Sequence, residues 1–306
     1  MRTYLASFCV LLGLIGLMPV NTFAQQSITI SVVTTFDYPG VGNSTTPFGI
    51  NDRGDIAGDY VDANNVQRGF IRFSDGSFSQ PFVAPNDTAH VTRGLGINDW
   101  RTVTLTFFNT ADNIFHGGFL KKGVITQFDL GSFGTSVNGI NDFGHFVGTA
   151  GSPLQGFLNI GKTSTAISIP GAIATRAIGI NNFDWVVGRY AGSNAVEHGY
   201  VRKRNGSLTF PIDFPGSTLT TFNGINDRGW MVGNYLDGSG QHGGFLQMPN
   251  TFVSFDFPGA SSTSLNGIND KGFISGRYTD SAGIRHGFVA RVWPAPDDSD
   301  DQDDEN

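Results

Sequence analysis

The chain has 306 residues, of which 39% are hydrophobic and only 15% charged, and its formal net charge is −7. That apolar content excludes a charge-rich disordered chain, and a single cysteine excludes a disulfide framework or a thiolate metal site. A balance without excess base argues against a nucleic-acid partner, which needs a basic face.

Residues 1–24 read as a signal peptide. Arg2 precedes an apolar run from Leu5 to Val20, and Thr22-Phe23-Ala24 supplies a small-x-small cleavage pattern. The run falls short of the roughly 18 residues that a membrane span needs, which makes a retained anchor the lesser reading. The mature chain is expected to be exported, to the periplasm or the cell exterior. Cys9 leaves with the leader, so packing alone must hold the body together.

The body, residues 25–293, is built from an internal repeat. Gly-Ile-Asn-Asp stands at Gly49, Gly96, Gly139, Gly224 and Gly267, and Gly-Ile-Asn-Asn at Gly179, with spacings of 47, 43, 40, 45 and 43 residues. A period of this size belongs to supersecondary units in series. In the sixth copy Val253–Phe257 alternates and stops at Pro258-Gly259, which predicts a strand and a turn. Thr263–Asn269 predicts a second strand. Asp270-Lys271-Gly272 fits a three-residue hairpin with glycine in the left-handed position, Phe273–Tyr278 a third strand, and Arg285–Ala290 a fourth. Four short antiparallel strands per copy predict an all-β fold, a six-bladed β-propeller of four-stranded blades, with a β-solenoid as the alternative. An opening strand at Ile30–Phe36 supports ring closure. Beyond it all, residues 294–306 form an acidic tail expected to be disordered. Removing the tail's seven acids and the leader's one base leaves 19 acids against 18 bases, so the body is nearly neutral.

Positions that are uniform across the copies are expected to be structural. The threonine four places before each Gly-Ile-Asn (Thr45, Thr92, Thr135, Thr175, Thr220, Thr263) is one. Another is the apolar place after the hairpin (Ile56, Val103, Phe146, Val186, Met231, Ile274). The aromatic four places later, for example Tyr235, is expected to pack between blades.

Together, Gly-Ile-Asn-Asp-x-Gly, Val-Gly-x-Tyr, His-Gly-Phe and Phe-Asp-x-Pro-Gly resemble the HAF repeat of extracellular bacterial proteins. Copies five (Gly224–Phe245) and six (Gly267–Phe288) match best. The resemblance implies exported repeat proteins and brings no catalytic residues with it. Copy two departs furthest, with Arg101 for the hairpin glycine and Leu105 for the strand glycine, and predicts an irregular blade.

Several motifs have a structural explanation that outweighs the chemical one. His116, His198, His242 and His286 recur before glycine, and each is expected to bond a nearby aspartate of an Asn-Asp turn rather than share a metal. Gly156–Thr163 matches a phosphate-loop pattern but leads into a strand, not a helix. The Asp-rich turns near Asp62 and Asp237 leave calcium as a weak alternative cofactor, since they lack the spaced ligands of an EF-hand loop. A glycosidase needs paired carboxylates, and Glu197 is the only glutamate outside the tail. These residues predict no enzyme.

Function should lie where the copies differ. The place after the hairpin glycine holds Asp55, Thr102, His145, Trp185, Trp230 and Phe273. Trp185, Trp230 and Phe273, flanked by Asn182, Asp227 and Lys271, form a candidate aromatic platform for sugars; the competing reading packs the three aromatics into seams between blades. The expected function is a secreted, non-catalytic recognition or scaffold module for a polysaccharide or an extracellular protein. A hydrolase or lyase acting on polysaccharide is the alternative.

Overall fold

The computed structural model describes residues 28–40, 44–240, 242–249 and 251–294. The leader at 1–24 and nearly all of the acidic tail lie outside them. No helix among the described residues is long and apolar enough to cross a membrane.

The fold is all-β. An N-terminal strand, β1 (Thr29–Phe36), precedes the repeats. Copy one supplies β2 (Ser44–Ile50), β3 (Ile56–Val61) and β4 (Gln67–Arg72). Copy two supplies β5 (Arg93–Ile97), β6 (Val103–Asn109), β7 (Ile114–Lys121) and β8 (Val124–Phe128). Copy three has β9 (Thr135–Ile140), β10 (Phe146–Ala150), β11 (Gln155–Ile160) and β12 (Thr163–Ile167). Copy four has β13 (Ala174–Ile180), β14 (Val186–Ala191), β15 (Glu197–Arg202) and β16 (Leu208–Ile212). Copy five has β17 (Ser217–Ile225), β18 (Met231–Asp237), β19 (His242–Met248) and β20 (Thr251–Phe255), and copy six β21 (Ser262–Ile268), β22 (Phe273–Thr279) and β23 (Arg285–Trp293).

Copies two, three and four are separate antiparallel blades of four strands. Copies five, six and one join into an eleven-stranded sheet, through single parallel pairings of His242 with Ser262 and Ser44 with Arg285. Within it β17 to β20 pair in series, and β1 completes β21-β22-β23 by pairing along β23 from Thr29–Trp293 to Phe36–Gly287. Two expectations are corrected here. The strand near Val253–Phe257 is the outer strand of copy five, not the first of copy six, and β23 is third in its blade, with β1 the fourth. Copy two is a regular blade; the irregular edge is that of copy one, where isolated antiparallel pairings, Gly69–Phe82 and Arg72–Phe78, stand in place of an outer strand.

Copy two stays regular because its departures are absorbed by its neighbours. Arg101 takes the left-handed φ of 57° that Gly54, Gly144, Gly229 and Gly272 take at the same place, as Asp184 does in copy four, and its guanidinium reaches Asp55 of copy one at 2.7 Å. In the other copies a strand glycine makes room for the buried aromatic that follows the next strand's glycine: a Cβ on Gly58 would stand 2.5 Å from Phe70. Leu105 fills that room, and Phe119 turns to copy three, where its ring centre lies 4.8 Å from that of Phe146.

The core is divided among six hydrophobic clusters, each straddling consecutive copies. One joins Val147 and Leu158 of copy three to Val186 and Tyr200 of copy four, and another joins Val289 of copy six to Ile50 and Ile56 of copy one. An open solenoid would leave its end copies without such a joint. Each fully buried phenylalanine, such as Phe222, Phe245 or Phe288, contributes about 2–3 kcal/mol of apolar burial. The repeated threonines are buried, and their Oγ1 atoms accept the N–H that follows the preceding outer strand, as Thr263 does from Phe257 at 2.8 Å. Phe257 in turn stacks on Tyr278 at 3.7 Å, so the recurrent aromatic packs where one blade passes to the next.

Candidate ligand-binding site

Gly-Ile-Asn-Asp builds one end of a central channel. Its glycines meet those of the next copy: a Cβ on Gly96 would stand 3.0 Å from the Cα of Gly139 and 2.9 Å from the Asn138 carbonyl. Each asparagine serves two copies at once. Asn226 accepts the Trp230 N–H on Oδ1 and donates through Nδ2 to the Asn269 carbonyl, at 2.9 and 3.1 Å. Six such donations run from Asn51 through Asn98, Asn141, Asn181 and Asn226 to Asn269, and the last returns to the Asn51 carbonyl. A second circle lies beside it, in which the N–H of each following residue donates to the side chain of its counterpart one copy on.

That second circle gathers five carboxylates and one amide. Asn182 donates through Nδ2 to both Asp142 and Asp227 at 3.0 Å, easing the crowding on its side. Burial first, then repulsion from Asp52 and Asp227, pushes Asp270 up to about 7. Asp52, Asp99 and Asp227 are raised by burial and by like charges too. Oxygens of Asp52, Asp99 and Asp142 lie within 4.8 Å of one another, close enough to share one cation. The Asp-rich turns weighed for calcium instead spend their oxygens on backbone: Asp62 Oδ1 accepts from Asn64 and Val66, and Asp237 Oδ1 from Ser239.

Above this end the channel widens into a cavity of about 400 Å³. A collar of isoleucines, among them Ile97, Ile140 and Ile268, comes first. Next stands a bulged residue of each first strand, Asn138, Asn223 or Asn266 in three copies, outside the ladder register. The upper tier pairs the residue after the repeated threonine with the middle residue of Gly-x-Tyr: Arg93 with Thr106, Ser136 with Thr149, Arg176 with Arg189, Ser264 with Arg277. Copy one places Thr46 opposite Asp59 there, and copy five Thr221 opposite Asn234.

His116, His198 and His286 each bond aspartate, but not the partners expected of them. His198 bonds Asp213 at 2.8 Å, and His286 sits between Asp37 and Asp280 at 2.9 and 3.3 Å. Asp37, Asp129 and Asp213 follow the outer strand; they are not the aspartates of Asn-Asp turns. Burial pulls His286 down, but its two carboxylates take it above its ordinary value.

The candidate platform is divided by the seams. Trp185 packs into the cluster of Phe222 and Tyr235, Trp230 into that of Leu265 and Ile274, and Phe273 into that of Ile50 and Val289. Lys203 lies over the Trp185 ring at 4.6 Å and Arg291 over that of Phe273 at 4.8 Å. Asn182 and Asp227 belong to the carboxylate circle, and Lys271 is exposed on its hairpin. Two places earlier in each hairpin stands a series that sequence reasoning missed: Arg53, Trp100, Phe143, Phe183, Arg228 and Lys271. Trp100, Phe143 and Phe183 are 68%, 71% and 50% exposed, on three successive copies. The Trp100 indole N–H donates to the Asp142 carbonyl at 3.0 Å, which lays the ring toward Phe143's hairpin.

No family model matches the chain, and no curated protein does. Solved structures share the fold. AofleA from Arthrobotrys oligospora superposes with a TM-score of 0.54 at 10% identity, over 86% of each chain. The fungal lectin from Aleuria aurantia, described as a six-bladed β-propeller with a fucose recognition mode, gives 0.50 at 12%, over 86% of this chain and 97% of the lectin. TolB from Acinetobacter baumannii gives 0.53 at 13%, over 78% of this chain and 65% of TolB, so the match spans just under two thirds of that protein. At these identities the likeness shows the fold, a β-propeller of four-stranded antiparallel blades.

Proposed function

We propose that the chain closes as one six-bladed propeller and acts as an exported, non-catalytic recognition module whose hairpin face binds polysaccharide. Six seam clusters and six amide links that return to their start support the blade number, as does the six-bladed description of the Aleuria lectin. The leader supports export, and the repeated motifs support membership of the HAF-repeat group. One observation carries the binding reading: three exposed aromatic rings on adjacent hairpins of one face. Such rings stack on the apolar faces of sugars, and one ring per blade suits a chain of sugars better than a single one. The likeness to lectins adds support at the level of the fold alone.

Titration of the purified protein with bacterial and plant polysaccharides, followed by tryptophan fluorescence and by assay of released sugars, tests this. A saturable change without product is expected, and Trp100→Ala with Phe143→Ala should weaken it about tenfold or more, in line with stacking energies of 1 kcal/mol or so per ring. Binding unchanged in that variant would overturn the assignment of the face; released sugar would instead favour the hydrolase or lyase.

A further inference from the structure

The upper tier of the channel differs from copy to copy, and several of its differences are charged. Arg93, Arg176, Arg189 and Arg277 all line the cavity, and Arg285 acts on Arg277 from the start of β23. Two carboxylates answer them. Glu197 lies 3.1 Å from Arg189, and Asp59 lies 3.9 Å from Arg93. Among the described residues no carboxylate comes within ion-pairing distance of Arg176 or Arg277. Asp59 is 3% exposed and its Oδ2 lacks a hydrogen bond. A fold gains nothing from holding four guanidinium groups around one cavity, because burial and mutual repulsion both oppose it.

Burial is what lowers Arg277 and Arg189 from their ordinary values, and neighbouring arginines add to it. The donors are also preorganised. The antiparallel register sets Arg176 opposite Arg189 and Ser264 opposite Arg277, with Asn234 reaching the same cavity. A planar fork of N–H donors matches a carboxylate or a sulfate, and the cavity's 400 Å³ falls within the range of small-molecule sites, about 300–1,000 Å³.

We propose that the channel binds one anionic small molecule, a carboxylate- or sulfate-bearing sugar or a free anion of that chemistry, on Arg93, Arg176, Arg189 and Arg277. This site is lined by residues other than those of the hairpin face. The two assignments can therefore fail independently.

Calorimetric titration of the purified protein with D-glucuronate, inorganic sulfate and neutral glucose tests it. Glucuronate should bind with one site per chain and weaken as salt rises, while glucose should not bind. Arg277→Gln should weaken glucuronate about tenfold, the scale of one charge-assisted hydrogen bond. Arg93→Gln, at a half-exposed position, should do the same if Arg277→Gln fails to fold. Sulfate binding as tightly as glucuronate identifies a free anion as the ligand; tighter glucuronate identifies an acidic sugar. The proposal is overturned if neither anion binds saturably, or if both arginine variants that fold bind as the parent does. Trp100→Ala should leave this titration unchanged.

Discussion

Asn182 occupies the one place in the carboxylate circle that is not acidic, and it shows what the others would gain from an amide. It accepts the Asp142 N–H on Oδ1, as a carboxylate would, while Nδ2 donates to two neighbouring carboxylates. Asp270 is buried beside the Asp52 and Asp227 carboxylates, and burial first, then their repulsion, takes its pKa to about 7, well above the ordinary 3.8. A carboxyl raised in the folded state stabilises the fold while it is protonated, fully below the unfolded value, and that stability is lost as pH rises through about 7. Asp270→Asn should therefore stabilise the fold at pH 8 by on the order of 1–3 kcal/mol, read as a higher melting temperature, and change little at pH 4. Thermal melts of both proteins from pH 4 to 8 check this. A gain that is the same at every pH would mean that repulsion around the circle is not what Asp270 contributes. Melts repeated with calcium and with a chelator read the cation capacity of Asp52, Asp99 and Asp142: a calcium-dependent rise that Asp142→Asn removes would place the ion on the axis.

At the scale of the element, the hairpin is the unit that repeats, and its sequence was legible because every residue in it answers to a neighbour. Glycine permits the approach of adjacent copies, isoleucine forms the collar, and asparagine needs both a donor and an acceptor. Gly96→Ala should cost about 1–3 kcal/mol, because the backbone atoms it would press against, the Asn138 carbonyl and the Gly139 Cα, cannot rotate away. Urea unfolding measures it, and a neutral result would show that the ring can expand. Two features of the elements were not legible. The left-handed residue of each hairpin reverses which side chains face outward, so Trp100, Phe143 and Phe183 are exposed while Trp185, Trp230 and Phe273 turn into the seams. The pattern could have been read from the series Arg53 to Lys271, which holds only aromatic and basic residues. The arginine tier was hidden for a different reason: Arg176 and Arg189 meet only through strand register, and the bulge before each Gly-Ile shifts that register by one.

For the whole molecule, closure rests on two unlike joints between its ends. One is the hairpin circle and the seam of Ile50, Ile56 and Val289, made by the body of the chain. The other is β1, which is far away in sequence from the blade it completes and carries Ile30 to the cluster of Phe288 and Phe36 to that of Val289. Without β1 the inner circle persists, but β23 becomes an open edge that pairs with other chains. A chain starting after residue 40 should therefore melt lower and form dimers or larger species by light scattering. A synthetic peptide of residues 28–40 should restore the monomer by occupying β23 in the β1 register. If the shortened chain stays monomeric and melts as the intact one does, the hairpin circle and seams alone hold the ring, and β1 only covers an edge. Rescue by the peptide at micromolar concentration would mean that the ring is already formed before β1 docks, since an unclosed chain would also have to bring its two ends together.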